Sequence, residues 1–151
     1  MSIVVFEREQ HLPGSPEEVF AFFADARNLE AITPPWLGFR VVTPEPIVMA
    51  PGTLIEYRLK LHGVPIRWRT TIAVWEPPHR FVDVQLNGPY RMWHHTHDFA
   101  EAPGGGTLMR DTVRYALPFG PLGSLANRLL VRRDLDRIFD FRRAAVLHKV
   151  K

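Results

Sequence analysis

Residues 53–75, TLIEYRLKLHGVPIRWRTTIAVW, decide the fold. Ile55, Tyr57, Leu59 and Leu61 alternate with Glu56, Arg58, Lys60 and His62, which is the period of a half-buried strand. His62-Gly63-Val64-Pro65 turns the chain. Ile66, Trp68, Thr70, Ile72 and Val74 then resume the alternation against Arg67, Arg69 and Thr71. Two such runs joined by a short turn predict antiparallel strands with one face on a core.

Toward the C-terminus, Pro77-Pro78 ends the second strand, and 80–86 makes the next. Gly88-Pro89 turns the chain into a long strand over 90–101, and Gly104-Gly105-Gly106 leads into a strand over 107–116. Toward the N-terminus, residues 3–10 read as a first strand. Ser15-Pro16-Glu17-Glu18 is a helix start, with a capping serine, a proline at the first helical position and a glutamate placed for a capping box. Val19, Phe20, Phe22 and Phe23 supply that helix's buried side, and Asp25 caps a second short helix over 26–32 that stops before Pro34-Pro35. The segment from Pro118 to Ser124 closes the sheet region. A terminal helix is predicted from about Leu122 to Lys149, about 40 Å long at 1.5 Å per residue. Leu125, Leu129, Leu135, Ile138, Phe139 and Val146 recur along it at helical spacings, while Arg132 and Arg142 fall at the stripe's edges and should snorkel.

The order is strand, two short helices, about six strands and one long helix, β-αα-βββββ(β)-α. It predicts an α+β domain spanning 1–151, with a curved antiparallel sheet wrapped around the last helix and room for a cavity between them. Composition narrows the function. There is no cysteine, so disulfides and thiolate chemistry are excluded, and a reducing cytoplasm is the expected compartment. The net charge of +3 comes from scattered residues and does not point to nucleic acid. No apolar run approaches the ~20 residues of a membrane span, and the first residues do not read as a signal peptide. Ser2, Ser15 and Ser124 are the only serines and none sits in a nucleophile elbow; no phosphate loop or dinucleotide fingerprint is present.

Thr33-Pro34-Pro35-Trp36, the run from Phe81 to Phe99 (FVDVQLNGPYRMWHHTHDF), Gly106-Thr107 and the run from Asp111 to Pro118 carry a family likeness. In these, and over nearly the whole chain, the sequence resembles the START-like helix-grip superfamily (SRPBCC), in its small bacterial branch akin to polyketide cyclase/dehydrases. The resemblance implies a helix-grip fold with an internal cavity, not one reaction. It also implies that three strand faces point into that cavity, which parity alone leaves open. They are Phe81, Asp83 and Gln85; Trp93, His95, His97 and Phe99; and Met109, Asp111, Val113 and Tyr115. The expected ligand-binding set is then Asp83, Gln85, His95, His97 and Asp111 among walls from Tyr57, Trp68, Phe81, Trp93, Tyr115 and Phe139. Trp36 serves as a lid or a plug at the rim.

One reading of the polar set is that it orients a small hydrophobic or aromatic ligand in a carrier or sensor. Another is a hydrogen-bond network that satisfies only itself. A third is cyclase/dehydratase chemistry, with His95 or His97 as general base and Asp83 or Asp111 orienting it. His95-x-His97 with an aspartate could hold zinc or iron, but two histidines two apart are a weak signal, and no metal or other cofactor is expected. The arginines of the last helix are expected to pair with Asp134, Asp136 and Asp140 on a solvated face. If copies associate, a two-fold homodimer is the default.

Overall fold

A computed structural model describes residues 3–118 and 124–150. Its strands are β1 (Val4–Leu12), β2 (Arg40–Val41), β3 (Leu54–Leu61), β4 (Val64–Glu76), β5 (Arg80–Asn87), β6 (Met92–Glu101) and β7 (Thr107–Ala116). They form one antiparallel sheet in the order β1-β7-β6-β5-β4-β3-β2. The helices are α1 (Pro16–Ala24), α2 (Asn28–Ala31) and α3 (Ser124–Lys149). This is the helix-grip order, and β2, a two-residue strand paired to β3, is the optional sixth strand of the run. The expected helix start at Leu122 and most of the closing segment lie in 119–123, outside the described residues.

Local chemistry places the elements. The Glu18 amide donates to Ser15 Oγ at 3.2 Å, and Pro16 opens α1. The box is only half formed, because the Ser15 hydroxyl donates back to the Glu18 carboxylate. Asp25 accepts from the Arg27 amide, but regular helix covers only 28–31 of the expected 26–32. At the β6–β7 turn Gly106 has φ +82°, and a Cβ there would lie 2.4 Å from the Leu12 carbonyl oxygen, so only glycine fits beside β1.

Two expectations fail for physical reasons. A register shift between Ile72 and Val74 flips the parity of β4, so that Trp75 faces Phe81 and meets Phe20 at a tilt, 4.9 Å between centroids, while Val74 pairs with Val82 on the other face. On α3, Leu135, Phe139 and Val146 are buried, but Leu125 and Leu129 are exposed, so the helix meets the core only over its later turns. The acids of α3 serve mainly as tethers to the sheet. Arg8 of β1 binds Asp136 and Asp140 at 2.8 and 2.7 Å, and His62 of the β3–β4 turn binds Asp134 at 2.9 Å. Of the expected pairs within the helix, Arg132 to Asp136 is seen, at 3.8 Å.

The core has two main centres. One gathers Leu12, Val19, Phe20, Phe23, Ile32, Phe81, Phe99, Met109 and Val146 beneath α1 and the end of α3. The other gathers Phe6, Trp93, Val113, Tyr115, Leu135 and Phe139. His95 and His97 lie between them along β6.

Candidate functional site

The alternation of β6 turns Trp93, His95, His97 and Phe99 inward, and all four are buried. Register then sets their neighbours. Asp83 of β5 lies opposite His95, and Asp111 of β7 lies opposite His97. The hydrogen bonds run diagonally instead. His95 Nε2 donates to Asp111 Oδ1 at 2.8 Å, and His97 Nε2 donates to Asp83 Oδ2 at 2.7 Å. The other two nitrogens complete a four-membered ring of contacts, His97 Nδ1 to Asp111 Oδ1 at 3.3 Å and His95 Nδ1 to Asp83 Oδ2 at 3.9 Å. The imidazoles stack on one another at 3.7 Å between centroids, and Phe81 stacks on His97 at 3.9 Å. Trp93 meets His95 edge-on. An aromatic column thus holds both histidines.

Burial sets the electrostatics of this group, and charge opposes it. Desolvation works against ionisation of Asp83 and Asp111, but the histidine hydrogen bonds and the charge of Arg142 outweigh it, so both carboxyls stay below their usual range. Desolvation and the charge of His97 push His95 down to about 4, keeping it neutral. His97 is raised, because two carboxylates overcome the same burial penalty.

Arg142 was expected to snorkel to the surface. Instead it points inward from α3, its guanidinium 5.5 Å from the Phe23 ring and 5.6 Å from Phe139. Its Nε and Nη2 are buried and have no hydrogen-bond partner among the described residues. The sequence signal was there, an arginine at the edge of an apolar stripe, but helical spacing does not say whether the long side chain leans out or in.

Between the sheet and α3 lies a cavity of about 170 Å3. Of the expected ligand-binding residues, Tyr57, Trp68, Phe81, Asp83, Trp93, His95 and His97 line it, and Arg142 joins them. The remaining five lie elsewhere. Gln85 spends its amide on the turn, donating to the Tyr90 carbonyl at 2.7 Å and accepting from the Tyr90 amide at 3.2 Å. It acts on the cavity only by placing Tyr90, which does line it. Tyr115 and Phe139 point inward but are packed into the core with Phe6 and Val113. Asp111 sits behind the histidines, on the β1 side. Trp36 is half exposed on the rim, against Phe141 and under Arg137, while its neighbour Leu37 reaches the cavity. Leu135 and Ile138 form the helix wall, which the sequence reading did not include in the site.

Known proteins place this arrangement. The Zhui aromatase/cyclase of a Streptomyces species superposes with a TM-score of 0.77 at 13% identity, covering 99% of this chain and 94% of that one. The structure of Ara h 8.0201 superposes at 0.71 with 18% identity, covering 99% and 98%. The di-domain ARO/CYC StfQ of the steffimycin biosynthetic pathway gives 0.76 at 15% identity, over 97% of this chain and 50% of that one. At these identities the likeness is one of fold. No curated protein matches the sequence. The family profile described as polyketide cyclase / dehydrase and lipid transport matches residues 4–148, and the chain belongs to that family.

Proposed function

We propose that the protein binds a small, largely apolar or aromatic ligand in the cavity between sheet and α3, as a carrier or sensor. One observation carries this reading. Arg142, whose Nε and Nη2 are buried without a hydrogen-bond partner among the described residues, lines a cavity walled by Tyr57, Trp68 and Trp93. An orphaned buried donor costs about 1–3 kcal/mol, and a ligand oxygen arriving at the polar end would offset that. The ligand class that fits is therefore an aromatic or aliphatic body bearing at least one carbonyl, phenol or carboxylate oxygen. The lack of cysteine supports a cytoplasmic setting.

Native mass spectrometry of the freshly purified protein, repeated after denaturation, tests the reading. A released mass of this class supports it. So does an empty protein that takes up a fluorescent apolar probe, provided Arg142→Met weakens a probe carrying an oxygen acceptor more than one without. A protein that is empty and refuses both probes overturns it.

A second reading, a cyclase/dehydratase acting on a polyketide-like or aromatic substrate, has its own observation. Asp111 holds His95 through Nε2, while His95 Nδ1 is 3.9 Å from the nearest carboxylate oxygen and beyond hydrogen-bond reach of it. An oriented imidazole with a free nitrogen beside a cavity is the arrangement of a general base. Incubation with a poly-β-ketone surrogate should then yield a product lighter by one water, and His95→Ala should abolish it while sparing binding. Conversion that survives in the His95→Ala/His97→Ala protein would end this reading.

A further inference from the structure

The two aspartates of the cluster are not equivalent. Asp83 shares the cavity face with His95 and His97, whereas Asp111 lies behind them. Asp111 Oδ1 accepts from His95 Nε2 at 2.8 Å and stands 3.3 Å from His97 Nδ1, which has no hydrogen-bond partner among the described residues. The nitrogens left over, His95 Nδ1 and His97 Nε2, both lie toward Asp83 Oδ2, at 3.9 and 2.7 Å. One donor atom from each of Asp83, His95 and His97 falls within 4.8 Å of the others.

We propose that Asp83, His95 and His97 bind a divalent first-row metal ion, with Asp111 as the outer carboxylate that orients both imidazoles. Metal-ligating histidines almost always give their second ring nitrogen to a carboxylate, carbonyl or water, which fixes the tautomer and raises ligand basicity. Here Asp111 accepts that bond from His95 and stands 3.3 Å from the second nitrogen of His97, which a turn of that ring would bring onto it. Spacing i, i+2 on β6 puts both rings on one face, and the register of β5 brings the oxygen ligand beside them. Two imidazoles and one carboxylate suit zinc or iron and are poor for magnesium or calcium, which take mostly oxygen. Three protein ligands leave at least one position open toward the cavity.

Without metal, the proton that His97 Nε2 shares with Asp83 Oδ2 stands where the cation would. Binding therefore displaces a proton, and the stacked rings, now 25° from parallel, must splay. This site does not depend on the cavity's organic ligand, since the metal alone tests it.

The experiment is a titration of chelator-stripped full-length chain with Co2+, followed by its visible absorption, and with Zn2+ by calorimetry in two buffers of different protonation enthalpy. One equivalent bound, with proton release and cobalt bands of four- or five-coordinate intensity, is the expected result. Asp111→Asn should keep the stoichiometry and weaken affinity about tenfold to a hundredfold. Asp83→Asn and His95→Ala/His97→Ala should weaken it further, and His62→Ala, which removes the surface pair with Asp134, should leave it unchanged. Should the double variant fail to fold by circular dichroism, His95→Gln takes its place, and the wild-type cobalt spectrum already decides the ligand number. Absence of saturable uptake, or uptake that survives loss of both histidines and disappears in His62→Ala, overturns the proposal. Uptake of an apolar probe by the same stripped protein shows separately whether the cavity reading stands.

Discussion

Two stretches of the same inward face of β6 are built on different terms. Phe99 sits in an apolar nest, with Phe20 and Phe23 at 5.2 and 5.5 Å and Met109 in the same cluster. His95 and His97, on the same face, are as deeply buried, yet each depends on a carboxylate from a neighbouring strand. Equal burial therefore conceals a difference. The Phe99 end adds stability contact by contact, whereas the histidine end is tolerable only while its members are all present.

That contrast can be broken from either side. Phe20→Ala should cost the most, about 3–5 kcal/mol by urea unfolding, with no change in Co2+ affinity. A smaller loss with altered metal uptake would mean the two ends are not separate. His97→Leu takes away the hydrogen bond to Asp83 and should cost about 3 kcal/mol. Adding His95→Leu, Asp83→Leu and Asp111→Leu should recover most of that loss; failure to recover would show that the cluster is a net source of stability. Zn2+ at a hundred times its Kd should raise the unfolding free energy by about 2.7 kcal/mol, and His95→Ala should remove the effect. Arg142→Leu is the gentlest. Its stability should stay within about 1 kcal/mol of the parent, because losing packing on Phe23 and Phe139 is offset by removing orphaned donors. Its signature is weaker uptake of oxygen-bearing probes.

Much of the fold is legible in single-residue alternation, because a strand that covers a cavity must keep one parity along its length. Tyr57 and Trp68 follow from that rule, Phe81, Asp83, Trp93, His95 and His97 from it together with the family resemblance, and all reach the cavity. The rule fails where the backbone adds a residue, as between Ile72 and Val74, since a bulge leaves no mark in composition. It also cannot tell an inward residue that lines a void from one packed solid; Tyr115 and Phe139 are inward, but Phe6 and Val113 fill the space around them. Gln85 illustrates a third gap, a polar side chain consumed by its own turn. On α3 the helical period suggested a continuous stripe, yet Leu125 and Leu129 lie where the helix does not meet the core. The division of labour between Asp83 and Asp111 required register and distances, which alternation does not contain.

The helix is fastened from two sides by charge, Arg8 to Asp136 and Asp140 on one flank and His62 to Asp134 on the other. Such exposed pairs contribute little to equilibrium stability and are screened by salt. They fasten the helix that gives Leu135 and Ile138 to the cavity wall, so their effect belongs to kinetics. Residence time of anything held inside should shorten as ionic strength rises, while the melting temperature scarcely moves.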